Sequence, residues 1–198
     1  VRRKQSQTEY LSPGPQKSSR NPTLPESFDE EPIKQRSLKN QHYMNSKNFS
    51  IAFDVDQTPH EVFNAVNNVT KWWIEEIQGH SSKLNDEFSV QFFVDVHYSK
   101  QKLIEVVPDK KVVWLITDSN LNFLQNKEEW TNTQVVFEIS QYDKKTRLQF
   151  THIGLTPTIE CYKDCSNGWN QYITSLYKLI TTGKGEPEKM IEENQQQD

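Results

Sequence analysis

Two cysteines, two carboxylates and two aromatic residues fall within ECYKDCSNGW, Glu160 to Trp169. Thiolates and carboxylates at this density suggest metal or redox chemistry, but their arrangement argues for something plainer. Cys161 and Cys165 lack the Cys-x-x-Cys spacing, and with 2 cysteines in the chain no second pair completes a structural zinc site. Cys161, Cys165, Trp169, Tyr172 or Ile173, Leu176, and Leu179 or Ile180 recur at steps of three and four, the apolar stripe of one long helix. Both cysteines are expected as small apolar residues packing that helix on a sheet, and a disulfide at this helical spacing is expected to be strained in a cytosolic protein. Gly168 within the helix costs roughly 1 kcal/mol relative to Ala, which predicts a close backbone approach to a neighbouring surface.

His152 shares the alternating face of Leu148 and Phe150, so it is expected to point inward beside the start of the helix, near Glu160 and Cys161. It can orient a ligand carbonyl or hydroxyl, or act as a general base; the plainer expectation is a core histidine bonded to a backbone carbonyl. His97 lies near an ill-marked turn, and His60 and His80 lie in exposed-looking segments. No two histidines have ligand spacing, so no metal and no cofactor is expected. Glu75 and Glu76 read as a solvated surface, and Glu129 as a structural cap or ion-pair partner. The chain carries no Gly-rich phosphate loop, no serine nucleophile elbow and no interleaved basic and aromatic surface.

The elements that must position these residues follow from periodicity. Phe49, Ile51, Phe53 and Val55 alternate with polar or small residues, predicting a strand. Thr58-Pro59-His60-Glu61 is a capping box with proline in the first turn, so a short helix follows. The Asn67-Asn68 pair weakens it, and Val69, Trp73 and Ile77 predict a second short helix with Trp72 about 100 degrees off its buried face, guarding a cavity entrance or covering a sheet edge. From Phe88 to Ile153 apolar residues repeat at spacing two in FSVQFFV, KLIEVV, KVVWLI with TQVVFEI, and RLQFTHI. Pro108-Asp109 and Tyr142-Asp143-Lys144-Lys145 mark turns of an antiparallel meander, while VDVHYS, residues 94–99, leaves its register open. The segment 119–131 exceeds a hairpin loop and carries Leu121, Phe123, Leu124 and Trp130, a candidate lid. Thr156-Pro157 opens the long helix and Gly183 stops it.

The 198 residues, formal charge of −4 and pI of about 5.8 predict a soluble, single-domain protein without electrostatic preference for nucleic acid or anionic membrane. No window approaches the roughly 18 consecutive apolar residues of a span, and the first thirty residues lack a secretory apolar core, so a cytoplasmic location is the default. The mean hydropathy of −0.86 reflects polarity concentrated at the two ends. Residues 1–43, with Pro13, Pro15, Pro22, Pro25 and Pro32 and no apolar period, are expected to be a disordered extension, with Met44 as an expected translation start. Residues 184–198 are expected to form a flexible polar tail, leaving a domain at 44–183.

Strand, two short helices, further antiparallel strands and one long amphipathic helix describe an α+β domain whose curved sheet grips that helix. On TPHEVFNAV, KWW, PDKKVVWLITDS, EEWTNTQVVFEIS, TRLQFTHIGL and ECYKDCSNGWNQYITSLYKLITTGKG, residues 48–183 resemble the START-like, or SRPBCC, helix-grip superfamily, which includes Bet v 1-like folds. Within it they resemble the branch named after the C-terminal domain of the activator of the ninety-kilodalton heat-shock chaperone's ATPase. The resemblance implies a cavity between sheet and long helix that holds a small apolar molecule, lipid-like or aromatic. Alternation is expected to turn Phe53, Phe137, Phe150 and Trp169 inward, and Phe92, Tyr98, Trp114 and Trp130 beside them; with Trp73, His152, Cys161 and Tyr172 these are the expected ligand-binding residues. Such side chains also fill ordinary cores.

The favoured function is a non-catalytic binding or carrier protein with a small hydrophobic ligand as its partner, expected to have a pocket of roughly 300 Å3 or more. Two alternatives stand beside it. A chaperone-ATPase activator is disfavoured because the true activator carries its main chaperone contact on a separate, larger N-terminal domain, which residues 1–43 do not replace. A cyclase, dehydratase or hydrolase would use His152 as acid or base. Neither nucleic acid nor membrane is expected as a partner. A homodimer remains open, because both faces of VVWLI are apolar and Val112, Trp114 and Ile116 call for a second subunit or the N-terminal extension to cover them.

Overall fold

The computed structural model describes residues 47–189; the extension expected at 1–43 and the last nine residues of the tail lie outside them. The described residues open with β1 (Phe49–Val55), followed by helix α1 (Pro59–Asn67) and a 3-10 turn (Val69–Lys71). The capping box forms as the residue types require: Glu61 N–H donates to Thr58 Oγ1 at 3.3 Å, and the Thr58 N–H donates to the Glu61 carboxylate at 2.7 Å. Strands β2 (Gln78–Gly79) and β3 (Glu87–Phe92) come next. A single helical turn, α2 (Phe93–Val96), then joins β3 to β4 (His97–Val107). It supplies the connection that VDVHYS left open, without Gly or Pro, by placing Phe93 and Asp95 at positive φ, 50° and 57°. Strands β5 (Lys111–Leu121), β6 (Gln134–Tyr142) and β7 (Lys145–Ile153) complete the meander, and helix α3 (Tyr162–Thr182) follows.

The seven strands form one antiparallel sheet in the order β1-β7-β6-β5-β4-β3-β2. Phe49 lies opposite His152 and Phe53 opposite Leu148, so the first strand closes the sheet beside the last. The β4–β5 pairing shifts register at Lys100/Gln101 and again at Leu103/Glu105, and such irregularities bend a sheet. Gly183 ends α3 in the left-handed conformation, φ 78°, its N–H returning to the Leu179 carbonyl at 2.9 Å. Among the described residues no helix is long and apolar enough to cross a membrane.

The inner sheet face and α3 enclose a core dominated by tryptophan. Trp73 stacks on Trp114 at a centroid distance of 5.6 Å and on Trp169 at 5.1 Å, Trp169 stacks on Trp130 at 5.8 Å, and Trp72 lies over both Trp73 and Trp114. Phe137 and Phe150 fill the floor, 5.3 Å apart. This packing corrects two expectations. Val112, Trp114 and Ile116 are fully buried on the inner face, so they require no second subunit to cover them. Trp72 is neither an entrance guard nor an edge cover: it is fully buried and donates its indole N–H to the Val66 carbonyl at 3.2 Å. The 3-10 turn, rather than a continuing helix, rotates both tryptophans of the pair inward.

The expected flexible tail also begins differently. At 184–189 the chain docks against the tryptophan segment: Glu75 N–H bonds to the Glu188 carbonyl and Glu188 N–H to the Trp73 carbonyl, each at 3.0 Å. Glu186 N–H donates to Ser175 Oγ at 2.6 Å, and Lys178 pairs with the Glu186 carboxylate at 2.6 Å. The backbone groups on both sides find partners in each other, which a purely compositional reading cannot foresee.

Candidate functional site

Because large rings occupy the space between sheet and helix, the cavity is displaced toward the N-terminal half of α3. A pocket of about 150 Å3 opens there, where α3, the α2 turn and the 122–133 loop meet. That is about half the roughly 300 Å3 at which ligand pockets for drug-sized molecules begin. Of the residues expected to bind ligand, Trp73, Phe92, Trp130, Trp169 and Tyr172 line it together. Phe93, Val96, His97, Phe123, Asp164, Cys165 and Gly168 complete the wall.

The other expected ligand residues lie elsewhere. Trp114, Phe137 and Phe150 are core, fully buried away from the pocket wall. Phe53 sits between β1 and α3 with its ring edge-on to Tyr177 at 5.2 Å. Tyr98 pairs with Gln91 and lines a surface cleft with Ile77 and Val90 instead of the pocket. The α2 turn decides that last point: it starts β4 at His97 and aims His97, not Tyr98, at the pocket.

His152 and Cys161 stand one layer behind the pocket and tie its walls together. The Trp169 indole N–H donates to His152 Nδ1 at 3.0 Å, which leaves the ring proton on Nε2, 2.9 Å from Thr133 Oγ1. The Thr133 hydroxyl donates in turn to the Trp130 carbonyl at 2.5 Å, and the Trp130 indole N–H reaches Cys161 Sγ at 3.1 Å. One hydrogen-bond chain thus links α3, β7, the 122–133 loop and the start of α3 again. Desolvation pushes the His152 pKa down to about 3, with His97 adding to the effect. The neutral, fully buried ring with both nitrogens engaged holds the walls in place.

The segment 122–133 is fastened rather than free. Both oxygens of Glu129 accept backbone N–H groups at the start of α3, from Glu160 at 2.8 Å and Cys161 at 2.9 Å. These donors have no partner within the helix, so the carboxylate caps it from a distance in sequence. Glu160 returns the contact by accepting the Gln125 N–H at 3.1 Å. Cys161, at the cap position instead of on the helical stripe, is disulfide-bonded to Cys165 with a Cα–Cα distance of 5.5 Å. This corrects the expectation of two free thiols: the turn entering α3 brings them together, and Cys165 presents the bridge to the pocket.

Gly168 also differs from expectation. A Cβ there would meet only Tyr172 Cε2, at 3.7 Å, so no close backbone approach requires glycine; its missing side chain leaves volume to the pocket it lines. The polar group that sequence reasoning passed over is His97. Its Nε2 is buried without a hydrogen-bond partner among the described residues, and its ring packs edge-on against Trp130 at 4.7 Å. Desolvation pushes its pKa down to about 4. The only signal in the sequence was its place at an unmarked turn.

A curved antiparallel sheet gripping a long C-terminal helix defines the helix-grip, START-like class of α+β proteins. Within that class the chain belongs to the family described as Activator of Hsp90 ATPase homolog 1-like protein, which matches residues 56–181. The fold is similar to the solution structure of the Aha1 dimer from Colwellia psychrerythraea, with 21% identity, a TM-score of 0.57 and coverage of 70% of this chain and 99% of that one. It is also similar to the Mll3558 protein from Rhizobium loti, at 15% identity and a TM-score of 0.55, covering 68% of this chain and 96% of that one. No curated protein matches the chain at a significant level.

Proposed function

We propose that the protein binds or carries a small, planar, apolar molecule in the pocket beside the N-terminal half of α3, without transforming it. The observation that carries this reading is the aromatic wall of Trp73, Phe92, Trp130 and Trp169 around about 150 Å3 of space. A cavity of that order holds one benzene-sized ring, which favours an aromatic ligand over the lipid-like one that the family resemblance allows. Family membership supports the same reading, since the helix-grip class is of the ligand-binding type. Native mass spectrometry of the full chain from its source, before and after denaturation, tests it together with calorimetric titration of one- and two-ring aromatics. A retained organic mass or saturable binding is expected; an empty protein that binds none of the aromatics refutes it.

A second reading is an interaction protein. Phe93, Val96 and Phe123, at 49%, 39% and 45% exposure, form an apolar rim around the pocket mouth, and the similar Colwellia structure is described as a dimer. Sedimentation of the full chain separates the cases: a dimer broken by Phe123→Ser places a protein partner on the rim, and a monomer removes this homodimer reading. Stimulation of the chaperone ATPase at stoichiometric protein would instead favour the activator-like role.

A further inference from the structure

We propose that the pocket selects ring ligands that carry one N–H or O–H donor, and that His97 is the residue that reads it. The inference rests on the reading of the pocket as a ligand site and narrows the class of molecule it takes. Its starting point is a polar atom left over. His97 Nε2 lies buried against Phe92 and Trp130, with ring centroids at 5.1 and 4.7 Å, and has no partner among the described residues. A buried polar atom without a partner is costly, and native proteins rarely keep one unless a water or ligand meets it.

The kind of partner follows from the polar capacity of the wall. The indole N–H groups of Trp130 and Trp169 are both spent inside the protein, on Cys161 Sγ and His152 Nδ1. Asp164 contributes a carboxylate to the lining, which accepts hydrogen bonds and repels an anionic or acceptor-rich guest. His97 is neutral near pH 7, because burial holds its pKa down to about 4, so one ring nitrogen carries no proton, and in the Nδ1–H tautomer that nitrogen is the unpartnered Nε2. The same core already contains the geometry required: at 3.0 Å an indole N–H is accepted by an imidazole nitrogen, that of His152. A flat heteroaromatic or phenolic ring in the pocket, whose wall includes Phe92, His97 and Trp130, would repeat that bond at His97 while its faces meet aromatic carbon.

Phe93 stands at the pocket mouth. It holds φ 50° with its ring half-exposed, a conformation that is uncommon for a bulky residue and tends to persist where a site needs it.

Calorimetric titration of the full chain with indole and with benzofuran, nearly equal in shape but with and without the N–H donor, tests the inference. Indole is expected to bind about tenfold more tightly than benzofuran, as one hydrogen bond to a desolvated group allows. In His97→Phe the preference is expected to vanish while benzofuran binding persists, which also shows that the variant is folded. His97→Gln, which keeps an acceptor, is expected to restore part of the preference. Equal affinities in the native protein, or a preference surviving in His97→Phe, overturn the inference while leaving the pocket reading intact. Failure of both rings to bind overturns both.

Discussion

Trp169 and His152 are joined by a 3.0 Å hydrogen bond from indole N–H to imidazole Nδ1, deep in a core that excludes solvent from both rings. The bond requires a neutral histidine, and burial keeps it so down to about pH 3. In the unfolded chain the same group titrates near 6.5, and His97 behaves alike with a folded pKa of about 4. Between these values the unfolded state holds more protons, so stability is complete above about pH 6.5 and falls as pH drops toward 4 and 3. Urea denaturation from pH 7 to 4.5 is expected to show a loss approaching about 1.4 kcal/mol per pH unit for each histidine. His152→Asn should halve that slope, leaving the His97 contribution; an unchanged slope would mean that His152 is not among the groups involved.

Trp73 touches Trp72, Trp114 and Trp169 at once. Its replacement by Ala removes the centre of the stack and is expected to cost about 3–5 kcal/mol, while Trp73→Phe should cost less. Circular dichroism of the folded variants provides a second readout, since coupling between near-parallel indoles should diminish with the central ring gone. A loss below about 1 kcal/mol would contradict the packing described.

Glu129 holds the backbone N–H groups of Glu160 and Cys161 with its two carboxylate oxygens. Glu129→Ala is expected to destabilise the domain by about 1–2 kcal/mol, the range for a lost cap, and Glu129→Gln by less because one oxygen acceptor remains. Hydrogen exchange should quicken first at the start of α3 and in the 122–133 loop. If protection falls evenly across the sheet instead, the cap is not the link between them.

At Phe93 the positive φ of 50° and the half-exposed ring make opposite demands. Phe93→Gly relieves the backbone and is expected to leave stability unchanged or raise it by up to about 1 kcal/mol. Phe93→Ala keeps the strain and loses the ring, so it should be less stable than the glycine variant. Both are expected to weaken ring binding at the pocket. An alanine variant as stable as glycine would show that the turn carries no strain.

Much of the architecture was legible before the structure. The capping box at Thr58 and Glu61, the alternation of β6 and β7, and the stop at Gly183 each rest on chemistry between residues a few positions apart, and each forms as expected. Glu129 was legible as a structural group, though not its target. Five of the expected ligand residues meet at one pocket; those that do not are mostly inward-facing as alternation predicted, and were claimed by the core instead. Tyr98 and His97 exchanged roles because one helical turn without Gly or Pro at residues 93–96 fixed a register that composition left open.

The sequence by itself determined the first helix, the long strands, the stop of the last helix and the apolar face of most of them, because periodicity and capping are local properties of the chain; the expected second helix is a 3-10 turn, and α3 begins at Tyr162, past Thr156-Pro157. Tertiary structure alone decided how the interior space is divided. Whether a tryptophan fills a core or walls a cavity depends on the sum of ring volumes brought together from β3, β5, α3 and the 122–133 loop. Whether a histidine is satisfied depends on which donors arrive beside it: Trp169 and Thr133 reach His152, and none among the described residues reaches His97 Nε2. Both outcomes are set by through-space closure between segments distant in sequence, which no local pattern encodes.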